Sequence, residues 1–149
     1  MIQNIYIIDD DDKLINMTIN IFKNNTKYKF KKVITKQIDI ALKNIPSLII
    51  INEDSIKQDI ISVCKKIKQN DDNNITPIIV VSSNREKAHR LEVLKNSVEH
   101  FIISPIDEEY FYYTIVNLLS LLDINRRVSP LTRTTWKYTN TSRNEKKTA

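Results

Sequence analysis

Five short apolar segments recur along the chain, and each is followed by a stretch in which apolar residues return at helical spacing. The segments IYII, SLIII and TPIIVVSS are brief and rich in β-branched residues, which predicts buried strands rather than helices. Continuously apolar strands are typical of parallel sheets covered on both faces. The alternation therefore predicts an α/β domain built on a doubly wound, five-stranded parallel sheet. The predicted strands are residues 5–8, 28–34, 47–51, 76–83 and 99–103, and the predicted helices include 35–44, 84–96 and 107–123.

Local patterns add detail to this prediction. The second apolar segment, YKFKKVI, alternates between apolar and charged residues, as a half-buried or edge strand does. An acid at position 11 or 12 is expected to cap the helix after the first strand. A helical stripe follows the third strand and consists of Ile56, Ile60, Val63, Cys64 and Ile67.

Glycine is absent from all 149 residues. Phosphate-binding loops of the P-loop and dinucleotide-binding types need glycine for tight turns and close backbone approach, so both site types are excluded. Asparagine is expected to replace glycine at helix ends, because it tolerates the left-handed conformation that helix termini favour. The candidate positions are Asn24, Asn25, Asn44, Asn70 and Asn96.

The net charge of +5 is unevenly distributed. Residues 126–149 carry seven Lys or Arg and one acid, Glu145, whereas the other residues carry 16 basic and 17 acidic side chains. This predicts a domain over residues 1–125 and a basic tail over 126–149 that has too few apolar residues to fold. The single cysteine, Cys64, cannot form an internal disulfide, and no apolar run reaches membrane-spanning length. Both features favour a reducing, cytoplasmic location.

Polar residues follow four of the five predicted strands. Carboxyl ends of parallel strands meet at one edge of a sheet, where ligands and catalytic groups collect in doubly wound folds. We therefore expect these side chains to form one pocket. In chain order they are Asp9 and Asp10, Asn52, Ser82, and Ser104 with Pro105.

The segments IYIIDDDDKL, PSLIIINEDS, TPIIVVSSN and HFIISPIDEEYF, in this order and spacing, carry a family resemblance. They resemble the receiver domain of bacterial two-component response regulators over roughly residues 2–124. The resemblance implies a (βα)5 flavodoxin-like fold and a signalling module rather than an enzyme. It implies an acid pair that binds Mg²⁺, at Asp9 and Asp10, and a hydroxyl at Ser82. A switch aromatic falls on Phe101, and the Ser104–Pro105 bond is expected to be cis.

Two pocket positions depart from the receiver pattern. Receivers carry an aspartate that takes a phosphoryl group from a histidine kinase, and a lysine before the proline; here these are Asn52 and Ser104. A carboxamide oxygen is a far weaker nucleophile than a carboxylate, and serine cannot supply a cation. The losses compensate in charge, because one acid and one base have gone together. The sequence therefore predicts a pocket that works without phosphorylation. No cofactor is expected, and any Mg²⁺ held by Asp9 and Asp10 would bind weakly.

Two alternatives for the phosphoryl acceptor remain open. Glu53 or Asp54 would be the acceptor if the strand register were shifted, and residue 54 would share a strand face with residue 52. The two histidines, His89 and His100, lie far apart in sequence without metal-ligand partners beside them. They are interpreted as structural or surface residues.

The tail offers two further hypotheses. The segment SPLT resembles the entry to the diguanylate cyclase (GGDEF-type) domain, which would make this chain the input domain of a cyclic-di-GMP signalling enzyme. The resemblance ends at Arg133, and residues 133–149 do not continue it. Trp136 and Tyr138 lie among basic residues, as in some nucleic-acid-binding segments. A solvated, disordered end is favoured over nucleic-acid binding.

The partner expected from the resemblance is another protein. We expect docking or homodimerisation through the face formed by the fourth helix (84–96), the fifth strand (99–103) and the fifth helix (107–123), with a histidine kinase as a candidate partner. No cofactor and no membrane contact are expected, and Mg²⁺ would bind weakly if at all.

Overall fold

The computed structural model describes residues 2–70 and 72–127, with side chains described as far as Leu121. Strands and helices alternate along the whole of this part of the chain. The elements are β1 (Gln3–Ile8), α1 (Lys13–Ile21), β2 (Tyr28–Val33), a 3₁₀ turn (Thr35–Gln37), α2 (Ile38–Ala41), β3 (Leu48–Asn52), α3 (Ile60–Gln69), β4 (Ile78–Ser82), α4 (Lys87–Lys95), β5 (His100–Ile103) and α5 (Glu108–Arg127).

The five strands form one parallel sheet in the order β2-β1-β3-β4-β5. This confirms the predicted doubly wound α/β architecture, and the order is that of flavodoxin-like folds. The chain reverses its direction of winding between β1 and β3. A crevice for a ligand or a reactive side chain is therefore expected at the carboxyl ends of these two central strands.

Both faces of the sheet are buried at its central strands. Tyr6 and Ile8 of β1 face one side and pack in a cluster with apolar side chains of α2, α3 and α4. Ile5 and Ile7 alternate with them and are also fully buried on the opposite side. The central strand LIIIN is apolar at four successive positions because neither of its faces meets solvent.

Several element boundaries differ from the sequence prediction. α3 begins at Ile60 rather than near Ile56, because Asp59 caps it by accepting a hydrogen bond from the Ser62 N–H at 3.0 Å. The predicted helix 35–44 is a 3₁₀ turn followed by a single turn of α-helix. α5 extends past Asp123 to Arg127, so the predicted domain boundary at residue 125 falls inside a helix.

The expected role of asparagine at helix ends is only partly correct. The side chain of Asn96 closes α4 by donating to the Glu92 carbonyl at 2.9 Å. The left-handed backbone conformation, however, belongs to the next residue, Ser97, at φ 64°. Ser97 is the one residue with positive φ in the described part of the chain. Asparagine therefore contributes here through its side-chain amide and its backbone N–H, which donates to the Val93 carbonyl at 3.0 Å, rather than through a left-handed conformation.

The chain divides into two compact units, one up to Tyr112 and one from Tyr113 onward. The first contains the sheet and α1–α4; in the second the structure describes the remaining residues of α5. None of the helices between residues 2 and 127 has the length and apolar character needed to cross a membrane. The predictions made for residues 128–149, including disorder and the SPLT segment, lie outside the described residues.

Cys64 is expected to be chemically inert in the folded protein. Its side chain is fully buried on α3, and burial raises the pKa of its thiol to about 12. Thiolate, not thiol, reacts with disulfide reagents, so native protein should resist modification by a dithiobenzoate reagent at pH 8. The same reagent should modify one thiol at once in guanidinium chloride. Rapid modification of the native protein would mean that α3 opens locally.

Candidate functional site

The strand register brings the predicted pocket residues to one edge of the sheet. Ile8 pairs with Ile51, which places Asp9 level with Asn52 at the ends of β1 and β3. Ser82 ends β4 and pairs with Ile103, so Ser104 follows directly beside it. The Ser104 N–H donates to the Ser82 carbonyl at 2.8 Å. Four polar positions predicted from the sequence thus lie on neighbouring carboxyl ends.

Asp9 is the centre of this pocket. It is fully buried, and its Oδ1 accepts hydrogen bonds from the Asp11 N–H at 3.0 Å, Asn52 Nδ2 at 3.2 Å and Ser55 Oγ at 2.5 Å. Its Oδ2 is buried without a hydrogen-bond partner among the described residues. One carboxylate oxygen is therefore saturated by donors from the protein itself, and the other is left without one.

The Asp10 carboxylate is turned toward the end of β2. Oδ1 accepts from the Thr35 N–H at 2.7 Å, and Oδ2 accepts a short hydrogen bond from the Thr35 hydroxyl. Burial raises the pKa of Asp10, but the hydrogen bonds from Thr35 and the backbone N–H and charge of Lys57 outweigh it and lower that pKa below its ordinary value. Asp10 is thus held as a carboxylate by groups outside the receiver pattern.

Asn52 faces Asp9, and the two alternative acceptors face elsewhere. Asp54 is exposed, and its carboxylate accepts from the backbone N–H of Ser83 at 3.0 Å and from the Ser83 hydroxyl at 2.9 Å. Glu53 pairs with His89, with its two oxygens 2.6 and 2.7 Å from Nε2. The residue that occupies the position beside the acid pair is therefore an amide.

The ends of β4 and β5 supply two serines and no lysine. Ser82 is fully buried, and its Oγ accepts from the Asn84 N–H at 3.0 Å. The Ser104–Pro105 bond is cis, as predicted. Arg85 brings a cation to this edge, because its Nη2 donates to the Ser104 carbonyl at 3.5 Å.

Two hydroxyl residues of the pocket are absent from the sequence prediction. Ser55 donates to Asp9 and accepts from the Asp10 N–H at 3.0 Å, so it joins the two acids. Thr35 holds Asp10. A signal for Thr35 exists in the sequence, since it follows the second strand just as the other pocket residues follow theirs. Ser55 lies in a loop, and only the folded conformation of that loop directs its hydroxyl toward Asp9.

His89, interpreted from the sequence as a structural or surface residue, contacts Glu53, a partner that its sequence neighbours do not indicate. His89 lies on α4 and Glu53 follows β3, so 36 positions separate them in sequence. Folding brings them together, with side-chain exposures of 26% and 14%. The His89 ring also meets the half-buried Phe101 edge-on, at 6.1 Å between centroids. His100 begins β5 and is half-buried. The switching role of Phe101 stays a prediction.

The Glu53–His89 pair is expected to hold α4 against the loop that follows β3. Glu53→Ala should lower the free energy of unfolding by about 1–2 kcal/mol, because it leaves a partly buried histidine without its partner. It should also speed amide hydrogen exchange in α4, measured by mass spectrometry. The matched control is Lys66→Ala, which breaks the more exposed Lys66–Asp39 pair of 3.6 Å and should change stability by less than about 0.5 kcal/mol. Equal effects of the two variants would refute this role.

The donor set does not fit a receiver-type magnesium site. Mg²⁺ prefers near-octahedral oxygen ligands, whereas both oxygens of Asp10 and Oδ1 of Asp9 already accept hydrogen bonds from the protein. Within the described residues no three His, Cys, Asp or Glu side chains cluster as metal ligands would. Of the four carboxylate oxygens of Asp9 and Asp10, Oδ2 of Asp9 is the one that lacks a partner among the described residues. Weak Mg²⁺ binding at Asp9 and Asp10 would have to displace the hydrogen bonds that the other three oxygens accept.

Comparison with known proteins identifies the fold. No protein-family model and no curated protein sequence matches the chain. The structure is similar to a signal receiver domain of a histidine kinase from Clostridium thermocellum, with TM-score 0.71 and 22% identity over 80% of this chain and 98% of that one. A histidine-kinase receiver domain from Syntrophus aciditrophicus gives TM-score 0.70 and 19% identity over 86% and 96%.

A third similar structure carries a metal ion. It is the receiver domain of a sensor histidine kinase from Pseudomonas aeruginosa, solved with magnesium in its active-site cleft. Its TM-score is 0.68, with 14% identity over 80% of this chain and 99% of that one. TM-scores of 0.68–0.71 show a shared fold, whereas sequence identities of 14–22% do not show a shared activity. The chain thus has the receiver fold.

Proposed function

We propose that this chain is a receiver-like signalling module that acts through protein contacts and is not phosphorylated at the usual position. The observation that carries the proposal is the hydrogen bond from Asn52 Nδ2 to Asp9 Oδ1, 3.2 Å long, at the place where a receiver has its acceptor carboxylate. An amide that donates to the acid pair offers no anionic nucleophile to a phosphohistidine.

The contacts of the neighbouring acids support the same proposal. Asp54 is bound to Ser83, and Glu53 is bound to His89, so neither carboxylate is directed at Asp9. Ser104 has no charge with which to balance a phosphoryl group. The pocket would then be a structural centre that keeps the receiver shape without phosphoryl chemistry. A non-enzymatic role and a cytoplasmic location belong to this proposal.

The partner in this proposal is another protein, with a histidine kinase or a second copy as candidates. The docking elements would be α4, β5 and α5, the ones that receivers use. Exposed apolar side chains occur on two of them, with Leu91 on α4 43% exposed and Tyr110 on α5 59% exposed. The structure similarity to receivers supports this choice of elements, and the role in a cyclic-di-GMP enzyme stays a separate hypothesis.

Beryllofluoride with Mg²⁺ tests the proposal, because this complex mimics a phosphoryl group on an aspartate. We expect the amide NMR signals of Asp9, Asn52 and Ser82 in the full chain, recorded with Mg²⁺ already present, to stay unchanged when beryllofluoride is added. The control is the double variant Asn52→Asp/Ser104→Lys, which restores the receiver pattern and should respond. Large shifts in the unmodified protein would overturn the proposal. Shifts centred on Asp54 would favour the alternative acceptor.

A further inference from the structure

The domain has a strongly basic segment that the pocket does not explain. Residues 23–43 carry seven lysines and one acid, Asp39, whereas residues 1–22 and 44–125 carry nine basic and sixteen acidic side chains. Asp39 lies 3.6 Å from Lys66 of α3 and so does not neutralise the segment. Within the described residues only one of the seven lysines forms an ion pair, Lys32 with Asp12 at 2.5 Å. The six others are exposed: Lys23, Lys27, Lys29, Lys31, Lys36 and Lys43.

This segment contains the edge strand β2. In the described part of the chain the sheet ends at β2, so one side of the strand pairs with no other strand. The carbonyls of Lys27 and Val33 accept from β1. Since peptide groups of a parallel strand alternate in direction, those of Tyr28, Phe30 and Lys32 point to the outer edge. β2 therefore offers outward backbone donors and acceptors over about three alternate residues.

The exposed lysines of β2 lie on one face. Lys29 and Lys31 are two positions apart and so project to the same side of the sheet. The helix that follows the strand, α2, has only four residues, and both lysines stay exposed beside it. Lys31 extends over the ring of Tyr6, with Nζ 5.6 Å from the ring centroid, which favours one orientation of its long side chain.

We propose that β2 is a docking edge for an acidic, extended segment of a partner protein, which pairs with the outward peptide groups while its carboxylates meet Lys29 and Lys31. Strand addition supplies main-chain hydrogen bonds, and alternate side chains supply specificity. The segment would carry Asp or Glu at every second position, because only alternate residues of a strand face the same side. This docking edge does not depend on the chemistry of Asn52.

Two other occupants fit the same surface less well. Single-stranded nucleic acid uses aromatic rings on which bases stack, but Tyr28 and Phe30 already pack against Phe22, at 5.6 and 5.1 Å between centroids. A second copy paired through β2 would bring Lys29 and Lys31 close to their own counterparts. Like charges on adjacent strands destabilise pairing, and edge lysines commonly prevent such association.

A labelled peptide that alternates glutamate and valine over about seven residues is a direct probe. Added to the full chain, it should shift the amide NMR signals of β2, and its affinity by fluorescence anisotropy should fall with added salt. The variant Lys29→Glu/Lys31→Glu should bind about tenfold more weakly. A peptide with lysine in place of glutamate should bind that variant instead. The control Lys65→Glu/Lys87→Glu changes the net charge equally at exposed positions outside the segment and should keep binding.

Three results would overturn the proposal. One is peptide binding that does not shift β2 amides, and another is equal weakening in both charge-reversed variants. The third is an oligothymidine of matched charge that binds β2 as tightly as the peptide does. Circular dichroism of both variants establishes that each is folded before binding is compared.

Discussion

Asn52→Asp alone is expected to leave the protein almost unphosphorylated by acetyl phosphate and Mg²⁺. The change restores a carboxylate but removes the hydrogen bond that Asn52 donates to Asp9, and it adds a third acid to a pocket with no lysine at Ser104. Repulsion among carboxylates favours a protonated, weakly nucleophilic acid. The transferring phosphoryl group would also lack the cation that stabilises its charge.

The double variant Asn52→Asp/Ser104→Lys separates these causes. It should accept phosphoryl groups about a hundredfold faster than the single variant, because one well-placed electrostatic contact contributes on that scale. Intact-protein mass spectrometry over time measures the rate, and Ser104→Lys alone is the matched control, which should remain unmodified. If Asn52→Asp alone reacts as fast as the double variant, an aspartate at position 52 does not need a lysine at position 104. The compensation between these two positions would then be refuted.

Asp9→Ala is expected to lower the free energy of unfolding by about 2–4 kcal/mol. Oδ1 of Asp9 accepts from Asp11, Asn52 and Ser55, so alanine would leave three partly buried donors without an acceptor. Each buried donor left unpaired costs about 1–3 kcal/mol, partly offset by the removal of a buried charge. Urea unfolding followed by circular dichroism measures the change.

Asp9→Asn is the matched variant for this prediction. It keeps an oxygen at the Oδ1 position and removes the charge, so the free energy of unfolding should fall by less than about 1 kcal/mol. A loss equal to that of alanine would show that the charge of Asp9, rather than its accepted hydrogen bonds, holds the pocket together. Repeating both titrations with Mg²⁺ tests for weak metal binding, which should stabilise the unmodified protein more than either variant.

The fold could be predicted closely from the sequence, because strands and helices are indicated by patterns of adjacent residues. The run LIII of β3 and the stripe Ile60, Val63, Cys64 and Ile67 of α3 are patterns of adjacent residues, and burial in the structure matches them. The start of α3 was less predictable. Ile56 continues the apolar stripe, but Asp59 caps the helix and ends the loop, so a single hydrogen bond decided the boundary.

The residues of the candidate site could be predicted from the sequence only in part. Asp9, Asn52, Ser82 and Ser104 were predictable because each comes directly after a strand, and parallel strands end at one edge. Ser55 and the Glu53–His89 pair were not, because Ser55 and Glu53 lie in a loop, whose residues have no periodicity that gives their direction. The structure changed the meaning of the acid pair most. Asp9 and Asp10 are already occupied by Ser55 and Thr35, which no spacing in the chain indicates.

By itself, the sequence determined the five strands, most of the helices and the identities of the strand-end residues, among them the amide Asn52 and the hydroxyl Ser104. Strands and helices follow from patterns of neighbouring residues, and the residue type at a strand end is read directly from the sequence. Tertiary structure alone decided where the carboxylates point: Asp9 to Ser55 and Asn52, Asp10 to Thr35, and Glu53 to His89. The physical reason is that hydrogen bonds of side chains depend on distances of a few ångströms between residues far apart in the chain. Only packing of the sheet and its loops sets those distances.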